Sequence, residues 1–181
     1  LSATFRCVQT RDRKCSMPSG LRLMSAHRVE NSRVWSRYRS GLERLRSTRA
    51  TCDNNVGSAC TTEPLGSMAQ ALEGSLNEFY LWHGTSPTGA LGISEEGFRL
   101  DLSGSSTGAM FGEGAYFAEC SSKADEYAQQ GEGIYVGTYA LLLCRVVCGQ
   151  MLRLTRPNEE TRKELLARGA IDSVLGDREA S

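Results

Sequence analysis

Histidine is scarce in this sequence, with only His27 and His83 among 181 residues. A zinc site would therefore have to recruit thiolates from scattered segments. The seven cysteines, at positions 7, 15, 52, 60, 120, 144 and 148, are odd in number and lack paired short spacings. That pattern argues against a disulfide framework, and no metal is expected. Cys144 and Cys148, four apart in a strand-like stretch, share a face without making a metal site. No apolar run approaches the roughly 18 residues of a membrane span; the longest lies around Tyr139–Leu143. A membrane partner is not expected. The start has neither the apolar segment nor the small-residue cleavage site of a secretory leader. Beginning at Leu1 and rich in Arg and Ser over 1–28, it reads as an organelle transit segment or as an internal linker, in what is expected to be a piece of a longer chain. Unpaired cysteines suit a nuclear or cytoplasmic setting.

Net charge is also missing, but its zero hides an asymmetry. Residues 1–50 hold 12 Lys and Arg against 3 Asp and Glu, and residues 51–181 hold 9 against 18. Two readings of the basic part stay open: weak contact with nucleic acid, or a solubilising, disordered flank over 1–28.

With 40% hydrophobic and 23% charged residues, the chain has the composition of one globular domain. Asn31 precedes Val34, Trp35, Tyr38, Leu42 and Leu45 at helical spacing, which predicts a capped helix over 32–47. The stretch 47–74 mixes Thr, Cys, Asn, Gly, Ser and Pro without period and reads as a flexible insertion, with a short helical turn allowed at 67–72. Phe79–Trp82 predicts a buried strand that delivers His83 at its end. Ser86, Pro87 and Gly97 bracket a short helix. Tyr116–Ala118 reads as a second strand, and Ser122 with Asp125 as the start of a helix through Gln130. Ile134–Val147 predicts one or two strands broken at Gly137, and Met151–Leu154 continues the sheet. Asn158 caps a charged helix that ends before Gly169. Such alternation suits α+β or mixed α/β architecture, and periodicity does not choose between them.

LWHGT at 81–85 is followed by GAMFGEGAYFAECSSKADEY at 108–127. A lone His-Gly pair or a lone FGEG turn says little, but the two in this order resemble the family of poly(ADP-ribose) polymerases and their mono-ADP-ribosylating relatives. The resemblance rests on His83, Gly84, Thr85, Gly97, Phe98, Gly108, Phe111, Gly112, Gly114, Tyr116, Phe117, Ala118, Ser122, Lys123 and Tyr127. VENSRVWSRY at 29–38 and DSVLGD at 172–177 add to it.

The resemblance implies an α+β, ADP-ribosyltransferase-like domain over 29–181, with a split antiparallel or mixed β-sheet core, short flanking helices and its last strands beyond the chain. The implied activity is NAD-dependent transfer of ADP-ribose to a protein or nucleic-acid acceptor, with release of nicotinamide and NAD as co-substrate. A binding module without turnover is the alternative, and the transferase fold of RNA phosphate-removing enzymes is a distant third.

The chemistry of nicotinamide, a planar ring with one carboxamide, asks for a flat partner and a paired donor and acceptor. Gly84 can offer both backbone groups at close approach. By resemblance, Tyr116 and Tyr127 sandwich the ring, and His83 serves the adjoining ribose. His83 and Tyr116 are the expected catalytic residues. Thr85, Arg99, Phe117, Ala118 and Lys123 join Gly84 and Tyr127 in the expected cofactor site. Two departures stand out. Ala124 occupies a position where many relatives carry a carboxamide-binding serine, and Glu179 lies too close to DSVLGD to be the late glutamate of polymerising members.

Overall fold

The computed structural model describes residues 1–6, 13, 16–53, 59–66, 71–100 and 111–177. Gly108, Glu179 and most of the turn allowed at 67–72 lie outside them. The described residues form an α+β arrangement with one antiparallel and one parallel pair of strands.

Helix α1 (Ser32–Thr48) begins where Asn31 accepts a hydrogen bond from the Val34 amide at 3.1 Å. The same Asn31 side chain donates to the carbonyls of Ser94 and Glu95, at 3.0 and 2.8 Å. One residue thus caps α1 and ties it to the end of α3 (Pro87–Glu96). The helical period turns Leu42 inward to 1% exposure, against Cys52 and Leu76, with Leu45 and Val147 alongside.

Strand β1 (Glu78–Thr85) pairs antiparallel with β2 (Ala140–Val147) over its full length, Glu78 opposite Val147 and Thr85 opposite Ala140. Its first residue is the centre of a buried polar network. The Glu78 carboxylate accepts from Arg145 Nε at 2.5 Å and Nη2 at 2.8 Å, from the Tyr38 hydroxyl, and from the Glu73 amide at 2.6 Å. Burial pushes this carboxyl up, but the bonds from Arg145, Tyr38 and Glu73 outweigh it and hold Glu78 below the usual carboxylate value.

Strands β3 (Met151–Leu154) and β4 (Ser173–Gly176) form the parallel pair. Met151–Leu154 therefore does not continue the first sheet. Gly149 (φ 60°) turns the chain after β2, and Asp172 fills the space beside it, 2.4 Å from where a Cβ would stand. Asp172 accepts from the Gln150 amide and binds Arg49 at the end of α1. The turn thus redirects the chain toward β4.

Four further expectations need correction. His83 does not end β1, which runs on through Gly84 and Thr85. Tyr116–Ala118 is not a strand but one isolated bridge, Trp82 opposite Ala118, because the chain turns into α4 (Ser121–Asp125) three residues later. That helix is shorter than expected: Ser122 lies inside it, with its hydroxyl accepting from the Arg6 amide rather than capping. Ile134 and Tyr135 sit in a turn between Gly133 and Gly137, both at positive φ, so only Ala140 onward joins the sheet. Ile134 is 91% exposed there.

Described residues of the basic start and of the insertion make contacts with the rest of the chain. Thr4 is buried, Arg13 binds Asp125 and the Ser122 carbonyl on α4, and the Leu1 carbonyl accepts from Ser121. In the insertion, Thr61 is buried, donates to the Tyr80 carbonyl, and precedes α2 (Thr62–Leu65). The expected helix at the charged stretch is α5 (Glu159–Ala167).

Candidate active site

In an antiparallel ladder each residue points its N–H and C=O to the same side, and successive residues alternate sides. Trp82 exchanges both its backbone bonds with Ala118, at 2.7 and 2.8 Å. Tyr80 and Gly84 therefore face the same edge, away from β2. The Tyr80 carbonyl confirms the alternation, since Thr61 reaches it from that side. Gly84 thus presents one donor and one acceptor just past the Ala118 bridge. No loop, turn or side-chain group among the described residues takes either of them.

Gly84 is held from a second direction. A Cβ on it would stand 1.8 Å from the Ala124 carbonyl oxygen and 3.1 Å from the Ala128 amide. The backbone of α4 and the turn after it lie directly on this residue, so glycine is required by packing as well as by any ligand.

One residue earlier, His83 Nδ1 lies 2.8 Å from the Tyr116 carbonyl. A carbonyl only accepts, so Nδ1 carries the proton and Nε2 is the acceptor of the neutral ring. The imidazole meets Phe98 edge-on at 5.0 Å and Phe117 at 5.7 Å, and those two rings meet each other at 5.1 Å. Its orientation is fixed on three sides.

Tyr116 is held at both ends. Its hydroxyl donates to the Gly112 carbonyl at 2.6 Å and accepts from the Phe111 amide at 3.1 Å. Burial pushes its phenol pKa up, while the Phe111 bond and the Arg162 charge pull the other way and the Tyr127 phenol adds to the rise. Arg162 packs on Gly112, 2.2 Å from where a Cβ would stand, and Phe111 packs on Gly176 of β4. The second sheet and α5 therefore shape the turn that positions Tyr116.

On α4, the Lys123 ammonium lies 2.6 Å from Glu126 and 5.3 Å from the centre of the Tyr127 ring. Tyr127 leaves one face of the site partly open, at 40% exposure. Ala124 is buried and brings no hydroxyl. Thr85 ends β1 with its hydroxyl against Gly89 in the first turn of α3.

His83, Tyr116 and Phe117 are thus in direct contact, and Gly84, Ala118 and α4 adjoin them. Arg99 is exposed, with its guanidinium 4.0 Å from Glu96 of α3. The Phe98 ring on His83 had a sequence signal, as half of the Gly97–Phe98 pair. Arg162, 50 residues from Gly112, had none.

A model of the poly(ADP-ribose) polymerase catalytic domain matches residues 5–174 of the chain. Poly [ADP-ribose] polymerase 2 of Arabidopsis thaliana is 40% identical over 86 residues, 47% of this chain and 13% of that protein. Poly [ADP-ribose] polymerase 2-A of Oryza sativa subsp. japonica is 40% identical over 79 residues, 43% of this chain and 12% of that protein. The poly [ADP-ribose] polymerase tankyrase of Caenorhabditis elegans is 34% identical over 79 residues, 43% of this chain and 3% of that protein. The matched part is a small share of each relative's length.

Proposed function

Since the chain belongs to the poly(ADP-ribose) polymerase catalytic-domain family, we propose that it grips the nicotinamide end of NAD and serves transfer of ADP-ribose to a protein side chain. Gly84 pairs its N–H and C=O with the carboxamide, and Tyr116 and Tyr127 flank the ring. His83, with Nδ1 committed to Tyr116, turns Nε2 to a ribose hydroxyl. Thr85, Phe117, Ala118 and Lys123 border the same site, and Arg99 serves the adenosine or phosphate end.

The observation that carries this reading is the placement of the free backbone edge of Gly84 beside a histidine locked to Tyr116 at 2.8 Å. Loss of nicotinamide leaves positive charge on the ribose, as in glycoside cleavage. Holding leaving group and sugar in one orientation is the main service such a site renders.

Binding without turnover is the second reading, and Ala124 favours it, because a carboxamide hydrogen bond from a serine is missing there. In the basic start, Arg13 pairs with Asp125 and Glu126, so its charge is turned to the chain itself rather than to a nucleic acid. Five free cysteines among the described residues suit a nuclear or cytoplasmic setting.

The test is ligand protection. A benzamide-type ligand and NAD should both raise the melting temperature of the chain, and Tyr116→Ala should abolish both shifts. An unchanged shift in that variant rejects the stacking role. Release of nicotinamide from NAD, followed by chromatography, separates transfer or hydrolysis from binding alone.

A further inference from the structure

Cys60 and Cys120, sixty residues apart in sequence, meet at the start of α4 with their sulfurs 3.5 Å apart. Two thiolates on one tetrahedral zinc, each at about 2.3 Å, stand roughly 3.8 Å from each other. The pair is therefore already near the spacing of shared ligands. A disulfide would need the sulfurs to close to about 2.05 Å.

Glu119 supplies a third donor. One ligand atom from each of Cys60, Glu119 and Cys120 lies within 4.8 Å of the others. The Glu119 carboxylate is already oriented, accepting from the Cys60 amide at 3.0 Å. Ligands held by such outer bonds bind metal better than loose ones. The Arg6 guanidinium, 3.6 Å from the same carboxylate, bears on the charge balance. A divalent ion with two thiolates and one carboxylate sums to minus one, and Arg6 offsets it.

We propose that Cys60, Cys120 and Glu119 form a binding site for one zinc ion, with a water molecule as fourth ligand. Cys60 and Glu119 line an open hollow of about 390 Å³ together with Arg6 and Thr62, which gives that water room. Soft sulfur ligands select zinc over calcium or magnesium. Zinc binds the thiolate form, so uptake by cysteines in the thiol form releases one proton from each.

The site has a structural consequence. Cys120 is the residue that enters α4, and Cys60 belongs to the insertion before α2. Zinc would tie the insertion to the helix whose backbone presses on Gly84.

The reduced, full chain should be titrated with cobalt(II) as a spectroscopic stand-in. One equivalent should produce thiolate-to-cobalt charge-transfer absorption and tetrahedral visible bands, both removed by zinc. Cys60→Ser and Cys120→Ser should each weaken binding at least tenfold, Glu119→Gln should weaken it to a smaller extent, and Cys144→Ala should leave it unchanged. Unchanged uptake in the Cys60→Ser, Cys120→Ser double variant overturns the proposal, as does the absence of any cobalt band in the folded wild type. A variant that fails to fold does not block the test. In the wild type, zinc should protect Cys60 and Cys120 from alkylation, read by peptide mass spectrometry. Equal labelling with and without zinc, or a Cys60–Cys120 disulfide in freshly reduced protein, overturns the proposal equally.

Discussion

His83 and Tyr116, 33 residues apart, are joined by a single 2.8 Å contact between the imidazole Nδ1 and a backbone carbonyl. The bond sets the tautomer of His83 and anchors the segment that carries the Tyr116 ring. His83→Leu keeps apolar bulk against Phe98 and Phe117 but leaves that carbonyl without its donor. The expected cost is about 1 kcal/mol in urea unfolding, with loss of most of the NAD-induced thermal shift. A stable variant that binds NAD normally would separate His83 from the ligand.

The glycine at position 84 should prove intolerant even without ligand. A Cβ there stands 1.8 Å from a backbone oxygen of Ala124, which cannot rotate away. Gly84→Ala should cost at least about 2 kcal/mol, at the upper part of the usual overpacking range. Gly92, inside α3 with open space around it, is the control. Gly92→Ala should stabilise the chain by up to about 1 kcal/mol, because alanine is the better helix former. Similar effects of the two changes in chemical denaturation would contradict the close approach of α4.

The readable parts of the fold are those whose signals are local. Asn31, with the apolar period after it, and the Ser86, Pro87, Gly97 bracket marked α1 and α3 because caps act within one turn of their own residues. Phe79–Trp82 marked β1 because four consecutive large apolar residues suit a strand, although the expected burial is only partial, all four being half-buried. Tyr116–Ala118 has strand composition too, yet among the described residues only Trp82 pairs with it, and pairing depends on residues distant in sequence. Met151–Leu154 was legible as a strand, but its partner Ser173–Gly176 was not, since a turn at Gly149 decides which edge it meets. In the site, His83, Gly84 and Tyr116 were marked by a motif, whereas Arg162 on Gly112 and the α4 backbone on Gly84 are products of tertiary packing alone.

Tyr116 performs two tasks that one substitution can separate. Its hydroxyl bridges the Phe111 amide and the Gly112 carbonyl, while its ring is the proposed stacking surface. Tyr116→Phe should lower stability by about 1 kcal/mol for the lost bonds and keep most of the benzamide shift. Loss of the shift in Tyr116→Phe, with the fold intact by circular dichroism, would show that the hydroxyl rather than the ring governs binding.

Acid should unfold the chain partly through Glu78. Its folded pKa is held below the usual carboxylate value by Arg145, Tyr38 and the Glu73 amide despite burial. A depressed carboxyl contributes stability that is fully present above its unfolded pKa and lost as pH falls through the folded one. Denaturation midpoints should therefore hold steady near neutrality and drop once the pH passes below the ordinary carboxylate range. Glu78→Gln should cost about 3 kcal/mol at pH 7, because the Arg145 charge beside it loses its buried partner. It should also flatten the acid limb. An acid limb unchanged in that variant would assign the transition to other carboxylates.

Ala124→Ser tests the site and the fold in opposite directions. The Ala124 side chain is buried where α4 meets β1, so a serine hydroxyl placed there must find a partner or lose its hydration. Without ligand, the substitution should destabilise the chain by about 1 kcal/mol. With ligand, the hydroxyl can reach the carboxamide that Gly84 is proposed to hold, and a hydrogen bond of about 0.5 to 1.5 kcal/mol tightens binding from a few-fold to roughly tenfold. Calorimetry with nicotinamide and with NAD should therefore show a gain in affinity in a protein that melts earlier when empty. A loss of stability with no gain in affinity would mean that residue 124 packs on Gly84 but does not face the carboxamide, and that Ala124 here serves the contact between α4 and β1 alone.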